Sequence, residues 1–286
     1  MDLTDIRTVR FLMEKHGFSF SGALGQNFLI NPHVCPKIAE LGSTSPENTG
    51  VLEIGAGIGV LTKELALRYK KVIVLEIDKG LKPILDETLA GFDNVEIIYA
   101  DIMAINLKEL ITAGFEGLDA VCCANLPYYI TSPVIMRLLD EDLPLKSITV
   151  MVQKEAADRI TALPGTRECG AISIAIRYYG TPEKLFGVGR GKFMPSPNVD
   201  STVIRIIVDK KYNLNEIDKI RFFRIVKSVF SQRRKQIINP LSVEFHISKD
   251  KARDILEKCG ISSRARAEEL SLDKFIALNE AIGGNL

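Results

Sequence analysis

The chain has 286 residues, of which 46% are apolar and 26% charged, with a formal net charge of +1. That length suits one or two domains, and that apolar share excludes a chain too polar to bury a core. No apolar run reaches the roughly 18 to 20 residues of a membrane span, and the acidic start Met1-Asp2-Leu3-Thr4-Asp5 lacks the apolar stretch of a secretory signal.

The five cysteines (Cys35, Cys122, Cys123, Cys169 and Cys259) are scattered and odd in number. No spacing among them suits zinc, so no metal is expected. Reduced thiols in a cytoplasmic protein are the expectation.

In chain order, residues 1–30 hold a helix-like stretch and then the turn-rich Gly17–Gln26. Val34, Ile38 and Leu41 fall at helical spacing. Val51–Ile54 reads as a short buried strand, followed by a helix whose face carries Leu61, Leu65 and Tyr69. Val72–Ile77, Val95–Ile98, Ala120–Ala124 and Ser147–Val152 read as further strands, and Gly80–Leu89 as a helix between two of them. Thr202–Val208 is a later, strongly β-branched strand. This alternation predicts an α/β fold, a Rossmann-like, mostly parallel sheet joined by βαβ crossovers.

After Asp209 the pattern becomes all-helical. Ile217–Phe230, Lys249–Lys258 and Leu272–Ile282 read as amphipathic helices, so a boundary is expected near residue 210. Charge changes at the same place. Residues 211–286 carry 15 Lys and Arg against 10 Asp and Glu, and the first 210 carry 22 against 26, so a net of +5 follows a net of −4. A basic helical domain (211–286) behind an acidic catalytic domain (1–210) implies a polyanionic partner.

The first strand runs into Glu53-Ile54-Gly55-Ala56-Gly57-Ile58-Gly59. Glycines here let the chain turn tightly and let a ligand approach the backbone. The spacing is E-x-G-x-G-x-G rather than the dinucleotide G-x-G-x-x-G, which weakens a pyrophosphate reading. Glu76 ends the second strand, 17 positions beyond Gly59, where an acid accepts from ribose hydroxyls. Asp101 follows the third strand, placed to accept from an adenine amino group. Together they indicate an adenosine-bearing ligand; S-adenosyl-L-methionine, which has no pyrophosphate, is compatible with them.

Asn125-Leu126-Pro127-Tyr128 follows the fourth strand, at the same sheet edge. An exocyclic amine is a poor nucleophile because its lone pair is delocalised into the ring. The Asn125 side-chain oxygen and the Leu126 carbonyl are typed to grip its N–H bonds, and Pro127 stiffens the loop. Tyr128 offers a ring for a flipped base, and Phe193, in the proline-rich Phe193–Ser201 segment, offers a second.

With these motifs the chain resembles the ribosomal RNA adenine N6-dimethyltransferase family, in its bacterial small-subunit form. The match rests on Gly25-Gln26-Asn27-Phe28-Leu29, the glycine loop, Glu76, Asp101, Asn125 to Pro133, Gln153-Lys154-Glu155, the Phe193–Ser201 segment and Ser231-Gln232-Arg233-Arg234-Lys235. The resemblance implies that Asn27, Leu29, Gly55, Gly57, Glu76, Asp101 and Asn125 contact S-adenosyl-L-methionine. It implies that Asn125, Leu126, Pro127, Tyr128 and Phe193 hold the target base. It also implies a substrate: two adjacent adenines in the 3′-terminal hairpin loop of 16S rRNA, in the small subunit or its precursor, each dimethylated during ribosome biogenesis. Arg233, Arg234 and Lys235 are expected to meet phosphates. A monomer is expected.

Three alternatives share parts of the pattern. The macrolide-resistance methylases of large-subunit rRNA have a similar loop, tetrad and clamp. DNA amino-methylases and glutamine methylases use a related tetrad, but with Pro directly after Asn, where this chain has Leu126. A non-catalytic assembly factor that kept the fold is the third.

Overall fold

The computed structural model describes residues 1–21, 24–209, 211–232 and 235–284. Among the described residues nine strands form: β1 Phe28–Leu29, β2 Thr49–Ile54, β3 Lys71–Glu76, β4 Val95–Tyr99, β5 Asp119–Asn125, β6 Leu145–Gln153, β7 Gly180–Val188, β8 Phe193–Met194 and β9 Ser201–Val208. The helices are α1 Ile6–Lys15, α2 Val34–Gly42, α3 Val60–Ala66, α4 Lys82–Thr88, α5 Leu107–Gly114, α6 Thr131–Asp140, α7 Lys154–Thr161, α8 Ala171–Tyr179, α9 Glu216–Phe230, α10 Ile238–Glu244, α11 Lys249–Lys258 and α12 Leu272–Gly283.

Seven strands pair in the order β4-β3-β2-β5-β6-β9-β7. The pairs from β4 through β6 are parallel, and β9 returns antiparallel to β6. Every residue of β2 is buried, the mark of a strand covered on both faces. From β2 the chain builds outward through β3 and β4 on one side, then through β5 and β6 on the other. That reversal opens a crevice at the carboxyl ends of the strands. β1 and β8 form a separate two-stranded pair, with Leu29 opposite Phe193.

The predicted strands appear with their ends moved by one or two residues. β7 was not foreseen. It holds Pro182, Glu183 and Lys184 and occupies a sheet edge, where a proline costs no ladder bond. The β1/β8 pair is too short to leave a periodic signal.

The chain divides into two compact units. One joins Met1–Ala157 to Glu183–Val208, the other Asp158–Pro182 to Asp209–Leu286. The expected division at 210 therefore needs a correction, because Asp158–Pro182 goes with the helical unit. The reason is aromatic packing. Tyr178 and Tyr179 of α8 pack against Phe222 and Phe223 of α9 at centroid separations of 5.0 to 5.8 Å. A contact so distant in sequence leaves no trace in a linear reading. In that unit Asn215, Ser248 and Ser271 cap α9, α11 and α12, each side chain accepting from the third helical N–H.

Candidate functional site

A cavity of about 250 Å³ lies at the carboxyl ends of β2, β3, β4 and β5 in the sheet-bearing unit. Its walls carry Ile54 of β2, Glu76 of β3, Ala100–Met103 after β4, and Asn125 of β5 with Leu126, Pro127 and Tyr128. The segment from Leu24 to Leu29 closes one side.

The glycine turn after β2 is fixed through its own N–H groups. The Gly55 N–H donates to the Leu75 carbonyl at 2.8 Å, and the Gly57 N–H donates to Glu76 Oε2 at 3.2 Å. Gly55, Gly57 and Gly59 all have positive φ. Gly57 is doubly constrained, because a Cβ there would lie 3.1 Å from the Phe28 ring.

Glu76 is buried, and each of its oxygens accepts one backbone N–H. Oε2 takes Gly57, and Oε1 takes Asp78 at 2.8 Å. Burial raises its pKa above the usual carboxylate range, while those N–H bonds pull it back. Each oxygen retains a lone pair for a further donor. Asp101 is exposed at the rim, with Oδ1 accepting from the Met103 N–H at 2.8 Å. The Arg137 guanidinium, reaching from α6, holds this loop by donating to the carbonyls of Ile102 and Ile105.

At the other wall, the Asn125 side-chain nitrogen donates to the Asn27 carbonyl at 3.4 Å, which leaves Oδ1 as the acceptor. The Leu126 N–H donates to Met151 at the end of β6. Pro127 sits at φ −56° and ψ 133°, its carbonyl accepting from the Ile130 N–H and the Thr131 hydroxyl. Tyr128 opens the 3₁₀ turn Tyr128–Ile130.

Of the residues predicted from sequence, Asn27, Leu29, Gly55, Gly57, Glu76, Asp101, Asn125, Leu126, Pro127 and Tyr128 all line this one cavity. Phe193 does not. It is 3% exposed, pairs with Leu29 and packs in the core, so the second ring is absent from the cavity lining. Lys235 is exposed, and Arg233 and Arg234 lie outside the described residues.

Several lining residues were not singled out in sequence. Gln26 bridges the Ser21 N–H to Asp78, tying the N-terminal segment to the loop after β3. Ile77, Met103 and Tyr129 are exposed apolar side chains on the cavity lining. Glu53 is fully buried, lines the cavity, and has no hydrogen-bond partner at either oxygen among the described residues. Its pKa is pushed up to about 8, first by burial and also by the Glu76 charge, with the nearby Thr62 hydroxyl acting the other way. Glu53 was legible only as the first letter of the glycine motif.

The orphaned carboxyl tests what the cavity holds. A buried acid without a partner fits a cationic ligand, and the Glu76 and Asp101 oxygens fit ribose and adenine donors. S-adenosyl-L-methionine carries all three features. Among the described residues no group of acids, thiols or imidazoles is arranged for a metal ion, and no helix is long and apolar enough to cross a membrane.

Comparison with known proteins agrees in kind. The profile described as ribosomal RNA adenine dimethylase matches residues 17–282. The chain is 45% identical to ribosomal RNA small subunit methyltransferase A of Bacillus cytotoxicus, over 98% of this chain and 97% of that protein. Its fold is similar to the crystal structure of a dimethyladenosine transferase from Plasmodium falciparum. There the TM-score is 0.72 at 27% identity, covering 88% of this chain and 95% of that one. The 23S rRNA methyltransferase ErmE is also similar, at TM-score 0.68 and 25% identity, covering 90% of this chain and 99% of that one.

Proposed function

The chain belongs to the ribosomal RNA adenine dimethylases, and from that premise we propose that it transfers methyl groups from S-adenosyl-L-methionine to the N6 of two adjacent adenines in the 3′-terminal hairpin loop of 16S rRNA. Each adenine receives two methyl groups, in the small subunit or its precursor, as a step of ribosome biogenesis in the cytoplasm. The observation that carries this reading is the meeting of Glu76 and Asn125 on one cavity. A donor site and an amine-gripping site then share one space.

Glu76 would hold the donor's ribose hydroxyls and Asp101 its adenine amino group, with Gly55, Gly57, Asn27 and Leu29 forming the remaining wall. Glu53 would face its cationic portion. When bound, the donor supplies an electrophilic methyl on a positively charged sulfur.

The chain's own residues prepare the nucleophile. Asn125 Oδ1 and the Leu126 carbonyl accept from the two N6–H bonds of an extruded adenine. That grip draws the lone pair out of the ring and towards the methyl, which lowers the barrier as preorganised dipoles do. Tyr128 stacks on the purine face. As the N–C bond forms, the methyl–sulfur bond would break to leave a neutral thioether, the nitrogen becomes a cation, and its excess proton passes to solvent through these acceptors, so no strong base is needed. Repetition on the monomethylated amine requires only that one acceptor give up its N–H.

The large-subunit alternative is favoured only by the fold shared with the 23S enzyme, at lower identity than the small-subunit relative. Mass spectrometry of both rRNAs from a strain lacking this gene separates the two. Restoring the wild-type chain should return four methyl groups to the small-subunit loop and none to the large subunit. Restoring Asn125→Ala should return at least about a hundredfold less per unit time, by analogy with loss of one preorganised polar group. Full methylation by that variant, or methyl groups on the large subunit alone, contradicts the reading.

A further inference from the structure

The Phe193–Ser201 segment does reach the substrate wall, but through its last residue. The Tyr128 and Ser201 hydroxyls share a hydrogen bond of 2.7 Å. Ser201 is the first residue of β9, is 1% exposed, and does not line the cavity. Among the described residues, its side chain is hydrogen-bonded to the site through Tyr128.

The position of Ser201 is firmly set. It stands opposite Gln153 at the end of β6. The preceding Asp200 is pinned twice: its carbonyl accepts from the Lys154 N–H at 2.9 Å, and its Oδ1 accepts from the Arg190 N–H at 2.9 Å. The Tyr128 ring is thus held at both ends. Pro127 and the 3₁₀ turn fix its Cα, and Ser201 fixes its Oη. A phenol tethered at Cα and Oη has lost the swing about its Cα–Cβ bond that a phenylalanine ring would keep.

Stacking depends on where the ring lies, and a position set before the base arrives need not be set during the reaction. We propose that Ser201 is a positioning residue that fixes where the Tyr128 ring lies against the target adenine, acting solely through the Tyr128 hydroxyl. The proposal rests on the adenine-methylating reading above. It assigns to Ser201 the preorganising role that Phe193, buried beside Leu29, does not fill from within the cavity.

A double-mutant cycle tests it. Tyr128→Phe removes the bond from the ring side and Ser201→Ala from the strand side. With a hairpin RNA substrate and saturating donor, each should lower kcat about five- to tenfold, the worth of one hydrogen bond used in orientation. The double variant should fall no further than either single one, because both remove the same bond. Affinity for RNA, carried by phosphate contacts, should stay within about twofold. Donor affinity and melting temperature should also hold, which a defect in the strand would not allow. If Ser201→Ala unfolds, Tyr128→Phe still breaks the same bond in a folded chain, and an unchanged kcat there overturns the proposal. Losses that multiply in the double variant, or a Ser201→Ala enzyme at full kcat, also overturn it. A wild-type chain that leaves every adenine unmethylated instead defeats the reading on which the proposal stands.

Discussion

At Glu53, burial sets the charge. A carboxyl with no partner in a low-dielectric site keeps its proton until about pH 8, whereas in the unfolded chain it releases it near 4.5. Between those values the folded state binds more protons than the unfolded one, so this group lowers stability as pH rises through that window. Glu53→Gln removes the titration and keeps the shape. The melting temperature of this variant minus that of the wild type should therefore grow steadily from pH 5 to pH 8 without donor. A difference that stays flat, or shrinks, would show that Glu53 is ionised or paired in the free protein. Residues of this kind mark the limit of sequence reading. Glu76 and Asp101 stand out in the sequence because one ends a strand and the other follows one, and both line the cavity. Glu53 precedes the turn, inside a strand, where an acid looks like part of the glycine motif, and its isolation shows only when the surrounding side chains are in place. Phe193 shows the opposite limit. Its motif was legible, but pairing of Leu29 with Phe193 turns the ring into the core.

At the scale of elements, the site is a set of strand tips held in register by main-chain bonds. The alternating pattern gave six of the nine strands, because buried parallel strands are short, apolar and separated by helices. It could not give β1 and β8, two residues each, or β7, whose charges and proline belong to an edge. The glycine turn is the element most exposed to test. Gly55→Ala meets no neighbour within 4 Å and suffers only its positive φ, a cost of about 1–2 kcal/mol. Gly57→Ala suffers that and also presses on Phe28, which must move for the Cβ to fit. It also disturbs the N–H bond to Glu76. Calorimetry should find Gly57→Ala the less stable of the two, and titration should find its donor affinity lower by about tenfold or more, the loss of a charge-assisted bond. Equal donor affinity in the two variants would remove the turn from the donor site.

At the scale of the whole molecule, charge is divided along the chain. The final 76 residues are net basic and the rest net acidic. The two compact units nearly follow this division, except that Asp158–Pro182 crosses into the helical one because aromatic packing outweighs sequence order. If Arg233, Arg234 and Lys235 each neutralise one phosphate, replacing all three by Gln should flatten the dependence of log affinity on log salt by about 2 to 3, with little effect on donor binding. An unchanged slope would place the phosphate contacts elsewhere. If four strand tips bring donor and target amine into one cavity, a crystal structure with S-adenosylhomocysteine bound will show both ends of that arrangement. The ribose hydroxyls should lie on Glu76, the adenine amino group on Asp101, and Asn125 Oδ1 should face the sulfur across a gap one methyl group and one amine wide. A ligand seated away from Glu76, or with its sulfur turned from Asn125, would contradict it.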